Sequence, residues 1–600
     1  MNKNENHQLI MKNVRFQNGV IRQILTSNCI FLIMIFLVEG TLPQDPIKCT
    51  TKNSNCTITN IYGSFPDRSI CRAAEVTYPT TEEELISAVG KATKEKRKMR
   101  VATRYSQSIP KLVCPGEDDG LIISTKLLDK VQMMDRQNMK MRVDSGLILK
   151  DLIDEAARVG LALPHSPYWW GMSVGGLLGT GAHGSSLWGL GSAVHNYVVE
   201  LRIVTPATEE EGYAKVRTLD AANPEFYAAK LSLGVLGVIS QVTFKLQPMF
   251  KRNITFVEKS DSNLGDEVIT FGRKHEFADF SWFPSQKTVL YRIDNRVPLN
   301  ISGNALNDYL GFRPTSPLIL SSMRSSEETQ EALRDSNGKC LSGKLTKSLL
   351  DTAKYGYTNN GILFTGYPLI GPQNRLQASG SCLINDGILD DLVCPWDPRI
   401  KGLFFHQTTF SIGLSKVKNF IQDVQKLVVL QPKALCGLDL YSGILMRYVT
   451  ASNAYLGHQE DAVDFDITYY RSKNPLTPRL YEDILEEIEQ MAMFKYGAEP
   501  HWGKNRNVAF IDVIKKYKDA DKFLKVKETY DPLGLFSNDW TDQILGLRSG
   551  LSIVKEGCAL EGLCICSEDS HCAPTKGYFC KPGKVYVEAR VCTLLSSNVI

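Results

Sequence analysis

The chain lacks several features that would assign it to a common class of protein. Its 69 Lys and Arg residues are nearly balanced by 65 Asp and Glu residues, which leaves a net charge of +4. Because no basic stripe accompanies this balance, the composition argues against nucleic-acid binding. The apolar run from Cys29 to Val38 is too short for a membrane span, which needs about 20 residues.

That short apolar run follows basic residues and ends near the small side chain of Gly40. The order predicts a secretory signal peptide over residues 1–40, with an uncleaved signal anchor as the alternative. Removing Cys29 from the 15 cysteines leaves an even number, which fits an oxidising compartment. Asn55, Asn253 and Asn300 begin triplets with the form of glycosylation acceptors. We therefore expect a secreted protein, in the extracellular space or cell wall, without stable membrane insertion.

A Rossmann G-x-G-x-x-G motif between a strand and a helix is also missing. Residues 172–186 instead read MSVGGLLGTGAHGSS, and the apolar stretch from Tyr197 to Thr205 predicts a buried strand after them. Glycine lets main-chain amides approach a bulky anion, and short hydroxyls add donors. The tract therefore predicts either a diphosphate site or a glycine-rich turn between two strands.

Three further segments accompany this tract and L-P-H-S-P before it. They are S-L-G-V-L-G-V-I at 232–239, P-H-W-G-K at 500–504 and D-P-L-G-L-F at 531–536. Together they resemble the PCMH-type, or vanillyl-alcohol-oxidase, flavoproteins, in the subgroup of sugar-lactone oxidases. The resemblance covers roughly residues 62–545. It implies an α+β fold: an FAD-binding domain at 41–250, an α+β cap domain for substrate at 251–490, a return to the flavin at 491–548 and a Cys-rich module at 549–600.

The resemblance implies that FAD is the cofactor. In many relatives a G-H-S loop forms a covalent bond to the flavin through its histidine, whereas residues 106–108 here read S-Q-S. Since an amide side chain offers no nucleophilic ring nitrogen, we predict non-covalent FAD. The implied cofactor-binding residues are Arg104, Tyr105, Ser106, Gln107, Ser108, Gly175, Gly176, Gly179, Thr180, Gly181, His183, Gly184, Ser185, Gly237, Val238 and Ile239.

Catalytic residues are implied by the same resemblance. Arg447 matches the arginine of an E-x-R pair whose glutamate is replaced by Leu445; it would bind a substrate oxygen or form a structural ion pair. Lys504 would stabilise negative charge on the N1–C2=O edge of the flavin. His501 would accept the proton of the substrate hydroxyl, or would only position the ring.

Several structural expectations complete the interpretation. Residues 218–229 predict a helix, and residues 300–355 resemble an irregular polar insertion. Alternating polarity from Asp464 to Tyr470 predicts a half-buried strand whose aspartates face solvent. Six cysteines between Cys558 and Cys592 predict three disulfides rather than a zinc site, although C-x-C spacing leaves zinc open.

The function that the resemblance implies is FAD-dependent oxidation of an aldonolactone, L-gulono-1,4-lactone, by O2 in ascorbate synthesis, with H2O2 released and no metal. Two alternatives stay open. Ser145, in a segment that controls oxygen access in the family, leaves room for a dehydrogenase, and the missing glutamate leaves room for an oxidase of another sugar or alcohol. The substituted Gln107 and Leu445 would also suit a flavoprotein-like binding protein with little turnover.

Overall fold

The computed structural model describes residues 47–58, 71–102, 110–116, 119–381, 392–395 and 405–595. The predicted signal peptide and the loop from Arg104 to Ser108 lie outside these residues. Helices run over Glu82–Lys94, Pro110–Val113, Leu149–Arg158, Val174–Gly179, Phe226–Ala229, Leu264–Lys274, Pro317–Ala332, Ser336–Thr352, Gln373–Leu376, Val417–Leu430, Cys436–Asp439, Glu482–Gln490, Ala520–Tyr530 and Asp539–Ile544.

The first sheet contains β1 (Ile47–Thr51), β2 (Ser54–Ile58), β3 (Cys71–Thr77), β4 (Met99–Ala102) and β5 (Leu121–Ser124), in the order β1-β2-β3-β5-β4. Strands β3, β5 and β4 are parallel. In the helix Glu82–Lys94, between β3 and β4, the Thr81 side chain caps the N-terminus by accepting a hydrogen bond from the Glu84 amide at 3.2 Å.

The second sheet is antiparallel and has the order β10-β9-β11-β7-β6. Its strands are β6 (Val131–Asp135), β7 (Lys140–Asp144), β9 (Val198–Pro206), β10 (Ala214–Asp220) and β11 (Val238–Lys245), while β8 (Leu161–Ala162) pairs with β12 (Gln247–Pro248). The helix predicted over 218–229 is therefore wrong for its first residues. Thr218 to Asp220 end β10 and pair with β9, and only Phe226–Ala229 is helical.

The third sheet has the order β18-β13-β15-β14-β20-β21-β19-β22. Its strands are β13 (Lys251–Ser260), β14 (Asp279–Phe283), β15 (Thr288–Val297), β18 (Leu369–Pro372), β19 (Phe405–Gly413), β20 (Ile444–Val449), β21 (Ala462–Tyr470) and β22 (Glu499–Pro500), with β16 (Leu306–Asn307) and β17 (Tyr357–Thr358) paired separately. All pairings within this sheet are antiparallel. Strand β22 directly precedes His501, so this sheet positions the P-H-W-G-K segment.

The irregular insertion predicted over 300–355 is wrong, because it contains the helices Pro317–Ala332 and Ser336–Thr352. Their polar composition conceals them. Ion pairs one helical turn apart, such as Arg324–Glu328 at 3.0 Å and Lys347–Asp351 at 3.1 Å, replace much of the apolar stripe that normally marks a helix. The Cys340–Cys436 disulfide joins the second helix to Cys436–Asp439.

The Cys-rich module is held by the three disulfides that the sequence predicts: Cys558–Cys564, Cys566–Cys580 and Cys572–Cys592. Its strands β23 (Tyr578–Pro582) and β24 (Arg590–Leu594) pair with each other. The module packs on helix Glu482–Gln490, where the buried Glu487 carboxylate accepts hydrogen bonds from the amides of residues 584–586 at 2.6 to 2.7 Å. No helix in the described ranges is both long and apolar enough to cross a bilayer.

Candidate functional site

The glycine tract lines a cavity between the first two sheets. Ser173 caps helix Val174–Gly179 by accepting a hydrogen bond from the Gly176 amide at 3.3 Å. A Cβ at Gly179 would meet no atom within 4 Å, so open space lies beside this main chain. Six of the predicted cofactor-binding residues line the cavity: Gly175, Gly176, Gly179, Thr180, Gly237 and Ile239.

Gly237 illustrates why this wall is built of glycine. Its φ is +136°, a conformation that side chains rarely tolerate, and a Cβ there would lie 2.4 Å from the Val204 carbonyl oxygen. The neighbouring Val238 is fully buried in the core rather than at the cavity.

Arg100 is a cavity residue that the sequence interpretation missed. Its buried guanidinium donates to the main-chain carbonyls of Leu112 at 2.7 Å and Gly234 at 3.0 Å. Burial lowers the pKa of Arg100 to about 10, which leaves it protonated at neutral pH. A positive charge inside the otherwise apolar strand β4 was the only signal in the sequence.

The cavity fits the diphosphate of FAD. Arg100 supplies positive charge, the glycine main chain is accessible, and the Ser145 hydroxyl is buried without a hydrogen-bond partner among the described residues. A buried polar atom of this kind normally has a partner, and a phosphate or flavin oxygen would provide one. Arg104, Tyr105, Ser106, Gln107 and Ser108 lie outside the described residues.

The second half of the glycine tract contacts the third sheet instead of the cavity. The Ser185 hydroxyl accepts a hydrogen bond from the Tyr448 amide at 2.9 Å, and the Ser186 amide donates to the Tyr448 carbonyl at 3.0 Å. A Cβ at Gly184 would lie 2.8 Å from the Ser166 carbonyl oxygen, and one at Gly181 would lie 2.8 Å from Leu231. Ser185 and Ser186 therefore dock the tract on β20, while Gly184 and Gly181 pack against Ser166 and Leu231.

This docking brings the three predicted catalytic residues into one cluster with two buried aspartates. Arg447 Nη2 lies 2.7 Å from Asp464 Oδ2 and 3.6 Å from Asp466 Oδ2, and Lys504 Nζ lies 2.6 Å from Asp466 Oδ2. Asp464 is 1% exposed and Asp466 is 9% exposed. The expectation that these aspartates face solvent is wrong, because their side of β21 faces two cations rather than water.

Charge pairing dominates the ionisation of the cluster. Burial would raise the pKa of Asp466, but Lys504 and Arg447 outweigh it and lower that pKa from 3.8 to about 2. Burial opposes the charge of Arg447, but Asp464 and Asp466 outweigh it and raise the pKa of the guanidinium. Arg447 is thus charged, and the Asp466 carboxylate is ionised at neutral pH.

His501 and His183 lie beside this cluster with their rings 5.9 Å apart. Burial lowers the pKa of each well below its ordinary value of 6.5, with Lys504 adding to the effect at His501 and Arg447 at His183. His501 Nδ1 accepts a hydrogen bond from the Gly503 amide at 3.1 Å. In a neutral ring this places the proton on Nε2, so His501 presents a donor there.

The cavity and the cluster are neighbours. A Cβ at Gly503 would lie 3.1 Å from Thr180 Oγ1, so the P-H-W-G-K segment touches the glycine tract next to Lys504. The His183 carbonyl also accepts a hydrogen bond from Arg447 at 3.4 Å. A long cofactor whose diphosphate lies at the glycines would therefore have its other end near Lys504.

Family comparisons agree with this arrangement. The chain matches an FAD binding domain over residues 73–210, a D-arabinono-1,4-lactone oxidase domain over 402–544, and an L-gulonolactone oxidase 2-like C-terminal domain over 555–594. It is 62% identical to Probable L-gulonolactone oxidase 6 of Arabidopsis thaliana, covering 95% of each chain. It is also 62% identical to L-gulonolactone oxidase 2 of the same plant, covering 94% of this chain and 96% of the relative.

Among solved structures, cholesterol oxidase from B. sterolicum superposes with a TM-score of 0.60 at 14% identity, covering 84% of this chain and 99% of that chain. This likeness concerns the fold, and with the FAD-domain match it confirms the predicted PCMH-type architecture and FAD as the cofactor. The full-length identity with the plant proteins is far higher. The chain therefore belongs to the plant L-gulonolactone oxidase family and is an FAD-dependent oxidoreductase.

Proposed function

We propose that this protein oxidises L-gulono-1,4-lactone with O2 in ascorbate synthesis and releases H2O2. A secondary alcohol of the lactone gives up a hydride and a proton and becomes a ketone, while O2 gains two electrons and two protons. The observation that carries the proposal is the cluster of Arg447, Asp464, Asp466 and Lys504 beside the glycine-lined cavity. The names of the plant relatives and of the lactone-oxidase domain agree with it.

FAD supplies the hydride acceptor when it is bound. The residues of this chain that would hold its diphosphate are Gly175, Gly176, Gly179 and Thr180, with Arg100 contributing charge. Lys504 would face the pyrimidine edge, where its ammonium stabilises developing negative charge.

Arg447 and His501 would act on the substrate. Arg447 is held by Asp464, and its Nε is buried without a partner among the described residues, which leaves a donor for the lactone carbonyl or ring oxygen. His501 offers a donor at Nε2, because its Nδ1 is occupied by the Gly503 amide. This supports a positioning role for His501, since accepting the hydroxyl proton would require a free ring nitrogen.

Anaerobic stopped-flow mixing with L-gulono-1,4-lactone tests the function directly. We expect the bound flavin to lose its yellow colour and to recover it when O2 is admitted, with one H2O2 formed per lactone. Flavin that stays oxidised under excess lactone would reject the substrate. Reduction without reoxidation by O2 would identify a dehydrogenase.

We also propose that FAD is bound without a covalent bond, because Gln107 stands where many relatives carry the linking histidine. Acid precipitation of the purified holoprotein checks this. All yellow colour should stay in the supernatant, and colour in the washed pellet would disprove the proposal.

Secretion and glycosylation are proposed on two observations. Every cysteine among the described residues is disulfide-bonded, which suits an oxidising compartment. Asn300 is exposed in the loop after β15 and Asn55 is exposed in the β1–β2 hairpin, whereas Asn253 lies within β13, between two paired strands. Glycopeptide mass spectrometry of secreted protein should find glycans at Asn55 and Asn300; a glycan only at Asn253 would contradict this assignment.

A further inference from the structure

We propose that Asp466 supplies, from the neighbouring strand, the carboxylate that Leu445 does not provide, and that it binds the hydroxyl groups of the lactone. The inference rests on the proposed function for its substrate. It makes Asp466 a specificity-determining residue of the site, with Arg447 and Lys504 on either side of it.

Strand register carries the first step. Leu445 lies directly opposite Asp466 in the antiparallel β20–β21 pair, and Arg447 lies opposite Asp464. Residues directly opposite one another project from the same face of a sheet, with Cβ atoms roughly 5 Å apart. Leu445, Arg447, Asp464 and Asp466 therefore share one face, and the Asp466 carboxylate lies one strand spacing from Leu445 on the side of the sheet that carries Arg447.

Hydrogen bonding carries the second step. Asp466 Oδ2 accepts from Lys504 Nζ at 2.6 Å and Oδ1 accepts from Gln407 Nε2 at 2.8 Å. An ionised carboxylate has about four acceptor positions, so these two partners leave capacity for substrate hydroxyls. Asp466 is 9% exposed and the Lys504 side chain is 21% exposed, whereas Asp464 is 1% exposed and hydrogen-bonds Ser411 and Arg447. Of the two aspartates, Asp466 is the one that a ligand can reach.

Charge carries the third step. Arg447 and Lys504 contribute two positive charges, and Asp464 and Asp466 contribute two negative charges. His183 and His501 are neutral, and the rings of His183 and His458 lie 5.8 Å apart at the edge of the same cluster. The balanced cluster suits a neutral polyhydroxylated lactone. Without Asp466, the site would carry a net positive charge and would favour an anion instead.

The test compares lactone with sulfite, an anion that binds to flavin and bleaches it without any lactone. In holoprotein carrying Asp466→Asn, we expect the Kd for L-gulono-1,4-lactone, from anaerobic flavin reduction, to rise at least tenfold. We expect the Kd for sulfite to fall at least threefold, because one negative charge is lost. A merely structural role would weaken both ligands together, and that outcome would overturn the proposal, as would a lactone Kd within twofold of wild type.

A carboxylate transplant provides the second measurement. Leu445→Glu combined with Asp466→Asn should recover at least threefold of the lost lactone affinity; failure to recover any of it would reject the cross-strand replacement. If Asp466→Asn does not fold, Leu445→Glu alone serves, since its added negative charge should raise the sulfite Kd at least threefold. An unchanged sulfite Kd in Leu445→Glu would place Leu445 and Asp466 outside the flavin site and overturn the proposal.

Asp423→Asn is the matched control. Asp423 is also a buried carboxylate, bonded to Lys495 at 2.6 Å and to the Tyr496 hydroxyl at 2.6 Å, away from the cluster. It should lower thermal stability while leaving both Kd values within twofold of wild type. If wild-type flavin is not reduced by lactone, the proposed function fails, while the sulfite measurements still decide whether Asp466 controls charge at the flavin.

Discussion

Lys504→Met tests the ammonium at the centre of the site. Methionine keeps an unbranched side chain but removes the charge that lies 2.6 Å from Asp466 Oδ2. If Lys504 stabilises charge that develops on the flavin, its loss should slow anaerobic flavin reduction about 10²- to 10³-fold, the cost of removing one preorganised donor. Substrate binding should change much less, because the interaction strengthens as negative charge develops.

The same variant should lose stability by an amount that the structure sets. The pKa of Asp466 is lowered from 3.8 to about 2, chiefly by Lys504 acting against burial. At 1.4 kcal/mol per pKa unit, the lowering that Lys504 and Arg447 produce together contributes about 2 kcal/mol to folding, and we expect Lys504→Met to lose an amount of this order. A depressed carboxyl pKa stabilises the fold above its unfolded pKa and ceases to do so as the pH falls through the folded value. The deficit of Lys504→Met should therefore be full at pH 7 and shrink between pH 4 and pH 2.

Lys495→Met is the control, because Lys495 Nζ makes an ion pair of the same length, 2.6 Å, with Asp423. It removes a comparable pair away from the site and should leave the reduction rate unchanged. Stopped-flow reduction and chemical unfolding of both variants separate rate from stability. If the Lys504→Met variant binds FAD and its flavin is reduced at the wild-type rate, the role assigned to Lys504 is refuted.

Three other expectations follow from the geometry. Gly179→Ala should fold like wild type, since a Cβ at residue 179 meets no atom within 4 Å. It should bind FAD at least tenfold more weakly in equilibrium dialysis. Unchanged FAD affinity would place the cofactor elsewhere. Glu487→Gln should weaken the anchor of residues 584–586 by about 2 kcal/mol and make the Cys-rich module the first site of limited proteolysis. Burial lowers the pKa of His501, so below about pH 6.5 the unfolded chain binds a proton that the folded ring does not. The free energy of unfolding should therefore fall from pH 7 to pH 5. The fall should be less steep in His501→Gln.

Local chemistry made much of this protein predictable from its sequence. The absence of Cβ atoms at Gly175, Gly176 and Gly179 is a property of the residues themselves, and these glycines do line the cavity. Six closely spaced cysteines similarly predict disulfides, because so short a segment cannot bury a core of its own. The three disulfides are present. The buried strand after the glycine tract depends on neighbours in the chain, and it is present as β9.

Patterns with two physical explanations were misread. Alternating polarity from Asp464 to Tyr470 fits a strand with one face in water, but here the polar face meets Arg447 and Lys504 inside the protein. The polar stretch over 300–355 looked irregular because ion pairs take the place of apolar side chains on its helices. A sequence records that a side chain is charged, but it does not record whether water or another charge surrounds it.

Only the tertiary structure decided how the site is assembled. Asp466 faces Leu445 because of the register between β20 and β21, and Lys504 reaches Asp466 because β22 joins the edge of the same sheet. Arg100 became a cavity residue through carbonyls contributed by distant segments, including that of Gly234. Residue types and local backbone preferences are encoded position by position, whereas these pairings depend on long-range strand register and packing, which bring together groups far apart in the chain.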